Sequence, residues 1–171
     1  MISVREEKPA DISAVRVVNE RAFGQPEEAN VVDKLRESCD GLLSFVAECE
    51  RQVVGHILFS PAIIETRQGI ISGMELAPMA VLPEFQRQGI GSRLVKHGLA
   101  ILRDRSCPFV IVLGHPEYYP RFGFELASKY GIRSQWEGVP DEAFMIIWLD
   151  ESITEGVSGI ARYRDEFDEA M

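Results

Sequence analysis

The 171-residue sequence predicts a mixed α/β or α+β sheet with helices on its faces, and three observations carry that prediction. Short segments with period-two or continuous apolar character recur along the chain, separated by turn residues. Two segments near the N-terminus and one near the middle place apolar residues at helical spacing. The central helix, Gly91 to Arg105, stands between two apolar strands, so residues 71 to 113 should form a right-handed parallel crossover.

Taken in order, "ISVREEK" alternates as a first strand. Pro9, Asp11 and Ser13 then supply a stop and a helix start ahead of "ISAVRVVNERAF". In "EEANVVDKLRES", Val31, Val32 and Leu35 share one face, and the helix ends near Asp40-Gly41. "LLSFVAEC" and "QVVGHILFSPAIIET" read as a hairpin turning at Glu50-Arg51. "GIISGMELAPMAVLP" is the next strand, with a distortion expected at Ala77-Pro78 because proline cannot donate to a central ladder. The following helix turns Leu94, Val95, Leu99 and Leu102 inward and Arg93, Lys96 and Arg103 outward. Gly98 within it costs about 1 kcal/mol against alanine, which either a close neighbour would explain or the helix simply tolerates. "PFVIVLG" reads as a strand buried on both faces, hence central or parallel. "HPEYYPRFGF" gives a short turn or helix and a short strand, "AFMIIWL" another strand, and "VSGIARYRDEF" a last weak one.

Composition bounds the function. The length suits one domain over residues 1 to 171, and 46% hydrophobic with 26% charged residues is ordinary for a soluble globular protein. No apolar run approaches the roughly 20 residues of a membrane span. "MISVREEKPADI" lacks the charged-then-apolar order of a signal peptide. Cys39, Cys49 and Cys107 are odd in number and scattered, so reduced thiols and a cytoplasmic location are expected, with no disulfide framework and no metal site. A net charge of -9 argues against a nucleic-acid partner and attracts cationic substrates, although the same acidity serves solubility.

The chemistry-bearing stretch is "PEFQRQGIGSRLV", residues 83 to 95. Its Gly89 and Gly91 sit between a strand and a helix, where open sheets place their ligands. A dinucleotide-binding turn would need a third glycine where Leu94 stands, and an acidic residue where Val110 to Val112 stand. A P-loop needs Gly-Lys-Ser/Thr, and no Gly-Lys pair occurs in the chain. What remains is Gln86-x-x-Gly89-x-Gly91, opening an amphipathic helix.

That pattern resembles the pyrophosphate loop of the GNAT superfamily, the acetyl-CoA-dependent N-acetyltransferases. "LAPMAVLPEFQRQGIGSRLV" matches nearly throughout, and "YYPRFGF" is similar to the family's Tyr-x-x-x-Gly-Phe element after the following strand. With "SGIARYRDEF", the downstream part looks most like a bacterial group of predicted acetyltransferases of uncertain substrate, whereas residues 9 to 40 carry little family signal. The resemblance implies a twisted, mostly antiparallel sheet of about seven strands with a central parallel β-α-β unit and helices on both faces. It implies acetyl-CoA as co-substrate, bound along Met79, Ala80 and Val81 and by Gln86, Arg87, Gln88, Gly89, Ile90, Gly91 and Ser92. Physically, successive backbone N–H groups at a helix start hold a pyrophosphate. Glycines at 89 and 91 let the backbone approach it and adopt φ > 0, and Arg87 or Arg93 can add charge.

Transfer to an amine needs a neutral amine, a donor for the oxyanion and a proton for the departing thiolate. Deprotonating a lysine-type amine of pKa about 10.4 costs nearly 5 kcal/mol at pH 7 unless a base or desolvation helps. A backbone N–H near Met79, Ala80 or Val81 could serve the oxyanion. The resemblance places Tyr119, four residues before Gly123, as the general acid, in preference to the adjacent Tyr118. For the base, Glu75 is the first choice, directly or through water, although a strand glutamate more often faces solvent; His115 is the second. Val112 stands where many family members carry asparagine, and His115-Pro116 makes a shorter approach, a departure from the family's pattern in this loop. His56 and His97 suit structural or solvent roles. Trp136, Trp148 and Phe144 could wall the acceptor, core packing being the simpler role for Trp148. The reading is direct attack in a ternary complex on a small-molecule amine or a protein amine, in a possible homodimer with no membrane partner. The alternative is a CoA-binding sensor or interaction module without catalysis.

Overall fold

Nine strands and four α-helices are found among residues 1–170, the residues that the computed structural model describes. They fall into two compact units, residues 1–59, 77–99 and 165 onward in the first, and 60–76 and 100–164 in the second. Two strands and the third helix run on from one unit into the other.

In the first unit, β1 (Ile2–Glu6) lies antiparallel to β2 (Leu43–Cys49), and β2 to the N-terminal part of β3 (Gln52–Thr66). The β2–β3 hairpin turns at Glu50 and Arg51, both at positive φ (48° and 67°), the backbone twist a tight hairpin favours. Beyond β3 comes β4 (Gly69–Val81), whose Ala77-Pro78 peptide is cis. Helices α1 (Ile12–Phe23) and α2 (Glu27–Ser38) have the boundaries the apolar spacing predicts. Their inner residues Val15, Val18, Val32 and Leu35 are buried, and Arg16 of α1 pairs with Asp33 of α2 at 2.6 Å.

A buried polar chain ties α1 to the strands. Asn19 Nδ2 donates to Val15 O and to His56 Nδ1, each at 3.0 Å, so His56 carries its proton on Nε2 and donates it to Ser44 Oγ at 2.9 Å. Burial, and secondarily the Arg36 charge, lower the His56 pKa to about 3, so this imidazole is neutral and structural, as expected. His97 packs edge-on against Phe45, with ring centres 4.8 Å apart.

The third helix, α3 (Ile90–Asp104), starts one residue earlier than the sequence predicts. Leu94, Val95 and Leu99 are buried as expected. A Cβ on Gly98 would lie 2.3 Å from Phe59 Cε2, so this glycine exists for close approach to β3. Alanine would gain about 1 kcal/mol of helix propensity. Because Phe59 is fully buried and cannot swing away, overpacking should cost more, about 1–3 kcal/mol. Gly98→Ala is therefore expected to be destabilising by up to about 2 kcal/mol net, lowering the melting temperature by up to roughly 4–8 °C in calorimetry; a higher value would count against the close approach.

In the second unit the N-terminal part of β4 runs parallel to β5 (Phe109–Leu113), pairing Met74, Glu75 and Leu76 with Val110, Ile111 and Val112. This is the parallel β4–α3–β5 unit that the sequence predicts. Antiparallel β8 (Phe144–Trp148) follows β5, and β6 (Glu125–Leu126) lies beyond it. The C-terminal part of β3 takes β9 (Gly159–Arg162) antiparallel, and β9 takes β7 (Ile132–Ser134) parallel. Gly73 leaves room for the Phe109 ring, which a Cβ there would meet at 2.6 Å.

The predicted fold class holds, with nine strands among the described residues instead of about seven. The extra strands are short: β6 has two residues, just beyond the short strand read at the end of "HPEYYPRFGF", and β7 has three, too few for periodicity to register. The end of "VSGIARYRDEF" also differs, because only Gly159–Arg162 is strand and Asp165–Ala170 forms α4. Asp165 and Glu166 in its first turn suit the positive end of a helix dipole.

Candidate active site

The predicted cofactor-binding residues Met79, Ala80, Val81 and Gln86 to Ser92 all lie in the first unit; Glu75 and Tyr119 lie in the second. β4 ends at Val81, where Leu82 N–H donates to Val54 O at 2.9 Å. A 3-10 turn over Pro83–Phe85 follows, and its Glu84 receives both terminal nitrogens of Arg21 from α1, each at 2.8 Å. The Gln86 side chain turns back, and its Nε2 donates to Val81 O at 3.0 Å.

The chain then reverses through two left-handed residues, Arg87 (φ 64°) and Gly89 (φ 82°). Gly91 is already the second residue of α3, so the positive φ anticipated there falls on Arg87 instead. A Cβ at Gly89 would meet no protein atom within 4 Å, so within the chain glycine serves its φ. Ile90 is buried, and a Cβ on Gly55 would come 3.1 Å from its Cγ2, so Gly55 makes room for the start of α3. The first helical bond is Arg93 N–H to Gly89 O at 3.1 Å, so the N–H groups of Ile90 and Gly91 precede the helical ladder. A left-handed turn feeding a helix start is a backbone arrangement that can hold an anion. Arg93 is committed elsewhere, its guanidinium donating to Ile2 O at 2.6 Å, whereas Arg87 is exposed.

In the second unit Glu75 corrects the expectation of a solvated strand face: it is only 2% exposed. Its Oε1 has no hydrogen-bond partner among the described residues, and burial pushes the carboxyl well above the usual carboxylate range. The phenol of Tyr163 is raised first by its own burial and then by Glu75. Tyr163 stacks on half-buried Trp136, ring centres 4.2 Å apart and 19° from parallel. No motif marked Tyr163; its place follows from β9 pairing with β3, which the sequence does not reveal.

Tyr119 opens a 3-10 turn, Tyr119–Phe122, which Gly123 ends at φ 103°. The ring is buried, edge-on to Phe124 at 5.6 Å, and lies where a Cβ on Gly114 would sit, 2.2 Å from Cε2. Burial, then the neighbouring Tyr118, raises its phenol above the ordinary value. Tyr118 is less buried, with the Arg121 guanidinium 4.7 Å over its ring. His115 is exposed in the preceding turn. Phe144 and Trp148 are core residues, Trp148 meeting Phe109 and Tyr130 edge-on. Among the described residues no cluster of His, Cys, Asp or Glu is placed to hold a metal ion, and no helix is long and apolar enough to cross a membrane.

A parallel β-α-β unit, with a left-handed turn opening its helix and a buried tyrosine following the next strand, defines an acetyltransferase of the GNAT type. The chain belongs to that family: the acetyltransferase (GNAT) domain matches residues 40–126. It is 34% identical over 167 residues to the uncharacterized N-acetyltransferase YhbS of Escherichia coli (strain K12), covering 96% of this chain and 97% of that protein. It is 40% identical over 148 residues to the uncharacterized N-acetyltransferase YjhQ of the same strain, covering 85% and 81%. The crystal structure of E. coli YhbS in complex with CoA superposes with a TM-score of 0.88, covering 98% of this chain and 92% of that one. A GNAT family acetyltransferase from Brucella melitensis in complex with acetyl-CoA, 33% identical, gives 0.80 over 98% and 99%.

Proposed function

We propose that this protein transfers the acetyl group of acetyl-CoA to a primary amine by direct attack in a ternary complex. The observation that carries the proposal is the Arg87–Gly89 left-handed turn feeding the start of α3. Backbone N–H groups of this segment bind the pyrophosphate, and Met79, Ala80 and Val81 receive the pantetheine arm and the charge developing on the thioester oxygen. When bound, acetyl-CoA supplies the activated acetyl group. Glu75 takes the proton of the attacking ammonium, and its unpartnered buried oxygen suits that role because a desolvated carboxylate is a stronger base. Tyr119 delivers a proton to the departing sulfur.

The acidic chain favours a cationic acceptor, and we read that acceptor as a small molecule in preference to a protein amine. The test is CoA titration followed by thiol release from acetyl-CoA across a panel of small amines and lysine peptides. Saturable CoA binding with amine-dependent release is expected. Binding without release on any amine would point to the sensor or interaction module instead.

A further inference from the structure

We propose that Gln86 is a positioning residue that locks the last peptide of β4, and that it acts on the cofactor through this peptide, not by touching the phosphates. The inference rests on reading Gln86 to Ser92 as the pyrophosphate cradle. The peptide between Val81 and Leu82 is held on both sides: its carbonyl accepts from Gln86 Nε2 at 3.0 Å, and its N–H donates to Val54 O on β3 at 2.9 Å. A peptide plane fixed at both ends cannot rotate, so the direction in which the chain leaves β4 is set.

Everything the cradle offers lies downstream of that plane. Pro83 fixes the next φ, Phe85 N–H closes the turn on Leu82 O at 2.9 Å, and Gln86 N–H on Pro83 O at 3.3 Å. Gln86 itself has extended backbone (φ -68°, ψ 158°), immediately before the left-handed Arg87. Its side chain therefore closes a ring over residues 81–86, from loop to strand end, just where the loop begins to reverse. The side-chain amide has two N–H groups, and one of them is spent on Val81 O. Leu82, on the locked peptide, is buried, so rotation there would carry a core side chain with it.

The test uses the full chain with Gln86→Met, of similar length without a donor, and Gln86→Lys, which keeps one. Amide hydrogen exchange at Leu82 is measured without any ligand, and CoA affinity by calorimetry. In Gln86→Met, exchange at Leu82 is expected to rise about tenfold, and the CoA Kd and the acetyl-CoA KM to rise by about the same factor, with a smaller change in kcat. Gln86→Lys should restore the Leu82 exchange rate; that rate is the criterion for rescue because an added charge also favours CoA. Unchanged Leu82 exchange in Gln86→Met, with weakened CoA binding, would mean a direct phosphate contact and overturn the proposal, as would unchanged CoA binding. Failure of the unmodified protein to bind CoA would sink the cradle reading alone, since the exchange comparison needs no ligand.

Discussion

Tyr119→Phe is expected to lower kcat for amine-dependent thiol release by about 10²–10³-fold, the lower part of the range of about 10²–10⁴ for a positioned general acid. The ring should stay in place, because its contacts are with Phe124 and with the space Gly114 leaves, and neither involves the hydroxyl. CoA affinity should therefore change by less than about threefold. Burial raises this phenol above its ordinary pKa of about 10, so it keeps its proton at every working pH. The same shift makes it a weaker acid, which places the expected effect below the upper end for general acids. The pH profile should accordingly show no alkaline limb from Tyr119. A variant that releases thiol at the unmodified rate would exclude Tyr119 as the acid and leave Tyr118 or solvent.

Glu75→Gln should lower kcat/KM by about 10²-fold and erase an acid limb. Burial lifts the Glu75 carboxyl well above the usual range, so the basic form is scarce at low pH and grows as pH rises. On that limb kcat/KM should climb about tenfold per pH unit and level off well above pH 4.3, the ordinary glutamate value. Stability supplies a substrate-free check. The folded chain holds the Glu75 proton to higher pH than the unfolded chain does, so raising pH above about 4.3 costs stability, by at most about 1.4 kcal/mol per pH unit. Glutamine has no proton to lose, so the variant should gain on the parent as pH rises from 4.5 towards neutrality in denaturant melts. An acid limb that survives in Glu75→Gln would assign the base to His115 or a water chain.

Much of the fold was legible because its elements are long and strongly patterned. The bounds of α1, α2 and β3 coincide with segments read from apolar spacing alone. The parallel place of β5 follows from a continuous apolar run that only a doubly covered strand tolerates. Gly98 was legible as an anomaly, a glycine that a helix would not choose, and Phe59 supplies the reason. The elements not read were those whose stability is borrowed: β7 and α4 have three and six residues and form only where partners or neighbours hold them.

The sequence by itself determined the family, through glycines whose backbone role cannot be filled by other residues and a tyrosine at a fixed distance before Gly123. It also placed the turn proposed as the cradle, because a turn between an apolar strand and an amphipathic helix is a local feature. Tertiary structure alone decided what each polar side chain does there. Arg93 is spent on Ile2 O, Gln86 on Val81 O, and Glu75 is buried beside Tyr163 where a strand glutamate would ordinarily meet water. Backbone conformation follows from neighbours in the chain, whereas burial and hydrogen-bond partners come from segments far apart in it, and only folding brings those together.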